Sequence, residues 1–529
     1  MAVDYDADVI VVGSGTVGAN VAHELAKKGK SVIILEAGVR VPRWKIVEAY
    51  RNSGRKYDRN DPYPNMPWAL TSYADGYIDN TGSFPFFPGA LKVVGGTTLH
   101  WSSAVWRFIP NDFKMKSLYG VLRDWPISYD ALEPYYGRAE LELGVSGSDT
   151  DDQSGQGHPG PYPPRSIPYP VPPEPDVHAS QVFKKNLEPH GYKFVHEPNC
   201  RTWKPINGRP ACRGNNNCVP ICPIGAQYDG TAHVDLAIDH GAKLVTDATV
   251  FKIERGQGGK IAAVHYRTSK HQDVRLTAKA FVVAGHALET PKLLLMNDVA
   301  NSSDQVGRNL MDHTGTELQF LANEPIWMGR GPVQQARIMN WRDGPFRSQH
   351  SAIKHDVHNA NPIGSITQRL ISQGVMGKEL DERILDESMR WAQVTTFYEM
   401  PPLADNRITL HPDRRDALGF PTLRIHYDVP PYVLQAFELA KGHYAEITRL
   451  MQGEKPIIGD FANHSHIVGT TLMGDDPKDS VVDKDGRTHD HANLFIAGCS
   501  ILPTCSVLNP TLTAVALAIR SADIIAAEV

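Results

Sequence analysis

Two groups of residues in this sequence have types and spacing that could do chemistry. The first is Gly13-Ser-Gly15-Thr-Val-Gly18. The first glycine of such a run permits a tight turn, the second lets the backbone approach a pyrophosphate, and the third lets a helix pack closely on a strand. Free N–H groups at the helix N-terminus then offer partial positive charge to phosphate. Glu36 closes the next apolar run, where a carboxylate can accept hydrogen bonds from a ribose. Gly13, Gly15, Thr16, Val17, Gly18, Glu36 and Ala37 are therefore candidate dinucleotide contacts, and the fingerprint alone does not separate FAD from NAD. The second group is Cys212, Cys218 and Cys222, the last followed by Pro223. Thiolates are soft ligands that suit zinc or an iron–sulfur cluster. Structural zinc normally takes four ligands, as does a 4Fe-4S cluster, whereas a 3Fe-4S cluster is satisfied by three. Cys200 is a possible fourth ligand, and the plain alternative is three buried thiols or a chance disulfide.

These residues need elements to hold them. Asp8 to Val12 reads as a buried parallel strand, Val17 to Lys28 as a helix stopped by Gly29, and Ser31 to Leu35 as a second strand. Gly95-Gly96-Thr97-Thr98 reads as a backbone-rich loop able to lie against a flat ring system, or as an ordinary turn. Phe281 to Ala284 is another strand, Gly285 a turn, and Pro291 the start of a Leu-rich helix. A second such unit so far along the chain suggests a nucleotide-binding domain assembled from distant segments. The proline-dense stretch 158–176 is expected to be an extended, exposed linker. Residues 315–455 are more polar and mixed in pattern, as for a second domain covering the first. Ala514 to Val529 predicts a closing amphipathic helix.

The bulk properties fit a globular protein. The chain has 529 residues, 41% hydrophobic and 21% charged, enough for two interleaved domains. A net charge of -5 gives no reason to expect nucleic acid or an anionic membrane surface as partner. No apolar run is long enough to span a bilayer, and the acidic start, Met1 to Asp6, does not read as a secretory signal. Six cysteines are too few for a disulfide scaffold.

Taken together, the blocks resemble the glucose-methanol-choline (GMC) oxidoreductases from end to end. The residues are Gly13 to Gly18 with Glu36-Ala37-Gly38, Gly95 to Thr98, Val306-Gly-Arg-Asn-Leu-Met-Asp-His313, and Asn493 through Pro503-Thr504 to Asn509-Pro-Thr511-Leu-Thr513. Within the family, the likeness is to flavin subunits of bacterial membrane-bound sugar and sugar-acid dehydrogenases. It is carried by Trp106 to Lys116, Asp124 to Tyr129 with Glu133-Pro-Tyr-Tyr136, and Gly214 to Gly225. Relatives often have two adjacent cysteines before that last stretch; here the first of the pair is Ala211.

The resemblance implies an α/β fold (α+β overall), with a Rossmann-like FAD-binding domain from discontinuous segments, 1–314 and 456–529, and a sheet-and-helix substrate domain over 315–455. It implies FAD, with Gly95, Gly96, Thr97, Thr98, Ala284, Gly498, Asn509 and Thr511 among its contacts. His466-Ile-Val-Gly469-Thr-Thr-Leu-Met473-Gly474 resembles the family's histidine motif, and Asn509 stands at the partner position. A neutral imidazole can take the hydroxyl proton of an alcohol while flavin N5 accepts the hydride, and an amide can orient the same hydroxyl. His464 is the rival to His466. Glu399, Asn406 and Arg407 could contact sugar hydroxyls or be structural; Arg337, Lys354, Arg407 and Arg424 are cations available to an acidic substrate. For Cys212, Cys218 and Cys222 the resemblance implies a 3Fe-4S cluster, near residues 200–230, and Cys499 and Cys505 are expected to be buried and inert. The implied partners are a small escort subunit carrying the export signal and a membrane-anchored multihaem cytochrome c subunit, at the periplasmic face of the inner membrane. An oxygen-using alcohol oxidase, or a flavin/iron–sulfur electron carrier without its own substrate, are the alternatives.

Overall fold

The computed structural model describes residues 5–54, 58–69 and 76–529. The chain start read above for a leader falls partly on residues 1–4, outside the described residues. Five strands form a parallel sheet in the spatial order Leu494–Ile496, Ala278–Val283, Ala7–Val12, Val32–Leu35, Lys243–Val245. The central strand, Ala7–Val12, is apolar and almost wholly buried because both faces of a parallel sheet are covered. Helix Thr16–Lys27 leaves this strand through the glycine turn. The discontinuous assembly has a simple cause. Each edge of the first β-α-β unit needs a parallel neighbour, and the chain supplies one only after long excursions.

A second, antiparallel sheet runs in the order Glu454–Ile458, Thr314–Leu321, Trp391–Tyr398, Ile353–His358, Gln334–Ile338, Phe194–His196, with Ala462–Asn463 also paired to Thr314–Leu321. It thus draws one strand, Phe194–His196, from well before residue 315. No helix among the described residues is long and apolar enough to cross a membrane.

Three local expectations are corrected. The third Rossmann-type helix starts at His286, not at Pro291, which lies inside it. Pro291 cannot donate to the carbonyl four residues back, and Thr470 Oγ1 donates to that Ala287 oxygen instead, at 2.9 Å. The stretch 158–176 is not an exposed linker. Tyr169 is buried, with Arg165 stacked on its ring and paired to Glu140, and Trp203 Nε1 and Ser146 Oγ both donate to the Pro172 carbonyl. The final helix, Thr511–Glu528, is not one-sided: it is buried on most of its surface, against helices Thr16–Lys27 and Tyr129–Leu143. Its alanines let those helices approach closely, which a hydrophobic pattern alone does not reveal.

Candidate functional site

A cavity of about 330 Å³ runs from the glycine turn to the meeting of the two sheets. Gly13 adopts φ +104°, and a Cβ there would lie 2.5 Å from the Ala284 carbonyl oxygen. A Cβ on Gly18 would lie 2.2 Å from the Gly13 oxygen, so only hydrogen fits between helix and strand. A Cβ on Gly15 would meet nothing, because that position faces open cavity at the N-terminus of helix Thr16–Lys27. Thr16 and Val17 line the cavity beside it, whereas Gly18 and Gly95 stand behind the wall.

The loop at 95–98 is locked to this turn. Gly95 N donates to the Ser14 carbonyl, Thr16 Oγ1 donates to Thr98 Oγ1, and Thr98 Oγ1 donates to the Gly95 carbonyl. Gly96, Thr97 and Thr98 reach the cavity, as do Ala284, Gly498 and Thr511 on its other walls. Glu36 accepts from Ser14 N and Oγ through Oε2, and from Gly38 N through Oε1. One lone pair of Oε1 stays available, and Glu36 and Ala37 line the far end. Ring nitrogens of His100, His286 and His464, all lining residues, are buried without hydrogen-bond partners. A cradle with an open glycine at a helix N-terminus, a carboxylate at the ribose end and unpartnered ring nitrogens along the wall fits a dinucleotide.

At the opposite end, His466 Nε2 and Asn509 Nδ2 are 2.8 Å apart. Several elements converge to place them. Segments Met311–His313 and His464–Val468 pair as short antiparallel backbone, so His313 lies beside His466. Asn509 stands just before Pro510, the N-cap of helix Thr511–Glu528. Asp312 accepts the backbone N–H groups of Ser465 and His466 and so fixes the loop. Burial pushes the Asp312 carboxyl up to about 7.

The hydrogen-bond order determines the tautomers. Ser506 O can only accept, so His313 Nε2 carries a proton toward it at 2.9 Å. His313 is neutral, since burial and then Lys354 push it down to about 3. Its Nδ1 must therefore accept, and His466 Nδ1 donates to it at 2.9 Å. His466 Nε2 is left as an acceptor at the cavity wall, and Asn509 Nδ2 donates to it at 2.8 Å. Burial, followed by His313 and Lys354, holds His466 well below the ordinary histidine value. The amide orientation of Asn509 follows the same logic, because Lys354 Nζ is only a donor and lies 3.2 Å from Oδ1.

Lys354 was legible only as a generic cation. It is fully buried in strand Ile353–His358, 3.3 Å from Asp356, with its ammonium over the Phe397 ring at 4.7 Å. Burial pulls it down to about 8, against the opposing charge of Asp356. The signal in the sequence is Ile353-Lys-His-Asp-Val-His358, where Lys354 and Asp356 share one face of a buried strand. The other cations point elsewhere. Arg337 pairs with Glu197 and Asp356, and Arg424 pairs with Asp79. Glu399 is buried on Arg347 and Asn406 brackets the Asp428 backbone, which are structural contacts; with Arg407 they lie off the wall of this cavity. Cys499, expected to be buried, is only half-buried and lines the cavity, whereas Cys505 is buried and hydrogen-bonded to Met400.

The cysteine loop is built differently. Cys212, Cys218 and Cys222 are all free thiols on irregular backbone, Cys218 buried and the others half-buried. Gly214 N donates to Cys212 Sγ at 3.4 Å, and Arg201 Nη1 approaches Cys218 Sγ at 3.7 Å. Donors aimed at sulfur, one of them cationic, are what anionic thiolates of a cluster need. Cys200 is fully buried in the hydrophobic core, its thiol pushed up to about 12.

A parallel sheet with a dinucleotide cradle, opening onto a neutral histidine and an oriented amide, fits an oxidoreductase that uses a dinucleotide cofactor. The chain belongs to the GMC oxidoreductase family: models of that family match residues 203–315 and 402–518. It is 41% identical to the fructose dehydrogenase large subunit of Gluconobacter japonicus, covering 98% of this chain and 97% of that one. It is 23% identical to the gluconate 2-dehydrogenase flavoprotein of Pantoea cypripedii, over 98% of this chain and 93% of the relative. Among solved structures, a formate oxidase of Aspergillus oryzae RIB40 superposes with a TM-score of 0.68 at 15% identity, over 99% of each chain. The chain is thus an oxidoreductase acting on CH–OH donors, with FAD as its cofactor.

Proposed function

We propose that the chain is a dehydrogenase that oxidises a hydroxyl of a sugar, polyol or sugar acid, with His466 as the base and Asn509 orienting the substrate oxygen. The observation that carries this reading is the 2.8 Å approach of His466 Nε2 and Asn509 Nδ2 at the cavity wall, with the lone pair of Nε2 set by the His313 relay. A substrate hydroxyl that takes the place of the Asn509–His466 hydrogen bond donates its proton to His466 Nε2 and accepts from the Asn509 amide. Lys354 holds Oδ1 of that amide, so Nδ2 stays turned toward the oxygen. As the proton arrives, His466 keeps its Nδ1–H on His313 and does not rotate. Bound FAD supplies the acceptor for the hydride leaving carbon. The 41% likeness to a fructose dehydrogenase subunit favours a carbohydrate over a fatty alcohol.

Cys212, Cys218 and Cys222 are the residues that would hold a 3Fe-4S cluster, with Gly214 and Arg201 as its nearest donors. When bound, such a cluster supplies a one-electron route from the flavin to another protein. The reading therefore extends to a complex with an escort subunit and a membrane-anchored multihaem cytochrome c, at the periplasmic face of the inner membrane. The word "subunit" in the relative's name supports this extension. The test is to add candidate sugars and sugar acids without oxygen to the holoenzyme and follow flavin absorbance with low-temperature EPR. Bleaching by a carbohydrate, together with a cluster signal in the oxidised protein, is expected. Absence of the signal rejects the cluster, and absence of bleaching by any carbohydrate rejects the substrate class.

A further inference from the structure

Three helices bring two histidines and a carboxylate together far from the cavity end that holds His466. His23 lies on helix Thr16–Lys27, Glu142 on helix Tyr129–Leu143 and His233 on helix Thr231–Asp239. One ligand atom from each lies within 4.8 Å of the others. Glu142 Oε2 is 3.5 Å from His233 Nε2 and 3.9 Å from His23 Nε2. The two imidazole side chains are 1% and 5% exposed, and Glu142 is 25% exposed.

The chemistry of the donors fits a metal. His233 Nε2 is buried with no hydrogen-bond partner, while its Nδ1 is held by Tyr228 Oη at 2.9 Å. That is how a metal-ligating imidazole is normally oriented, its second nitrogen fixed by an outer partner. His23 turns its Nε2 to the same Glu142 oxygen, and its side chain is almost fully buried. Glu142 also has two faces: Oε1 pairs with the half-exposed Lys27 at 3.4 Å, and Oε2 turns to the imidazoles. Exposed His240, its ring 5.3 Å from that of His23, flanks the solvent side.

We propose that His23, Glu142 and His233 form a divalent-metal site, separate from the cysteine loop, that takes zinc or a closely similar transition ion. Two imidazoles and one carboxylate suit zinc and leave a fourth position for water or His240. Ligand separations of 3.5 and 3.9 Å need only small side-chain rotations to close on an ion. The site would pin the fingerprint helix to its two neighbours. Asn20 links the two, donating to Thr16 O and, at 3.4 Å, to the Tyr228 hydroxyl that holds His233. A bound ion therefore stabilises the first turn of the helix that faces the cofactor.

Cobalt is the probe, because its spectrum separates nitrogen and oxygen ligands from thiolates. Chelator-treated holoenzyme is titrated with Co²⁺ alongside the His23→Gln/His233→Gln double variant and the conservative Glu142→Gln variant, with metal content and Tm read for each. The wild type is expected to take one extra Co²⁺ per chain, with visible ligand-field bands, no thiolate charge-transfer band and a raised Tm. Each variant should bind at least about 10-fold more weakly, with FAD content unchanged in Glu142→Gln. Equal uptake by wild type and Glu142→Gln, a spectrum with thiolate bands alone, or no uptake would each overturn the proposal.

Discussion

The histidine end of the cavity and the cysteine loop differ in how their groups are held. At the histidine end the partners of His313, His466 and Asn509 leave each of them one orientation. Ser506 sets His313, His313 sets His466, and Lys354 sets Asn509. Behind them, Asp112 is buried among Arg342, Arg347 and the Ser506 hydroxyl, which fixes the loop that supplies Ser506. The cysteine loop has irregular backbone and two donors to sulfur. A site that acts on a passing substrate must be shaped before the substrate arrives. A site for a resident group can be completed by the group itself.

That contrast can be broken or sharpened by substitution. His466→Ala should slow anaerobic flavin reduction by ~10²–10⁴-fold, the range for a lost general base, with flavin retained. Asn509→Ala should cost about 10²-fold, because the base survives while the oxygen loses its orientation. Lys354→Met should cost roughly 10-fold or more, as a hydrogen bond from a charged group contributes ~1.5–3 kcal/mol. Its pH profile sharpens the point. Only protonated Lys354 can donate to Asn509, and its value lies at about 8. The wild-type rate of flavin reduction should fall as pH rises through about 8, and the variant should lack that limb. His466 is held well below its ordinary value, so no loss from its protonation is expected near pH 6.5. Smallest is Gly18→Ala, whose Cβ would press on the Gly13 carbonyl. It should cost ~1–3 kcal/mol of stability, read as a lower Tm with earlier flavin release.

Much of this was legible along the chain. The glycine turn, its flanking strands and Glu36 are contiguous, so their spacing reads directly. His466 and Asn509 could be named from a resemblance, yet their mutual approach could not, because 43 residues separate them. His313 and Lys354 were harder still. They act through contacts across 153 and 155 residues, and nothing local distinguishes them from packed polar residues. The proline-dense stretch misled for a related reason: composition reports backbone preference, whereas burial came from Arg165, Tyr169 and Trp203 docking on distant carbonyls and carboxylates. Glu399 and Asn406 could be substrate contacts or structural residues in sequence, and only distant partners, Arg347 on Glu399 Oε1 and the Asp428 backbone on Asn406, show the structural side.

The most direct test of the central claim is rapid anaerobic mixing of substrate with His466→Ala and Cys218→Ser holoenzymes, following flavin bleaching and then reduction of added cytochrome c. The account predicts that His466→Ala loses bleaching, and that Cys218→Ser bleaches near the wild-type rate but passes few electrons onward. Near-normal bleaching by His466→Ala with its flavin in place would contradict the account.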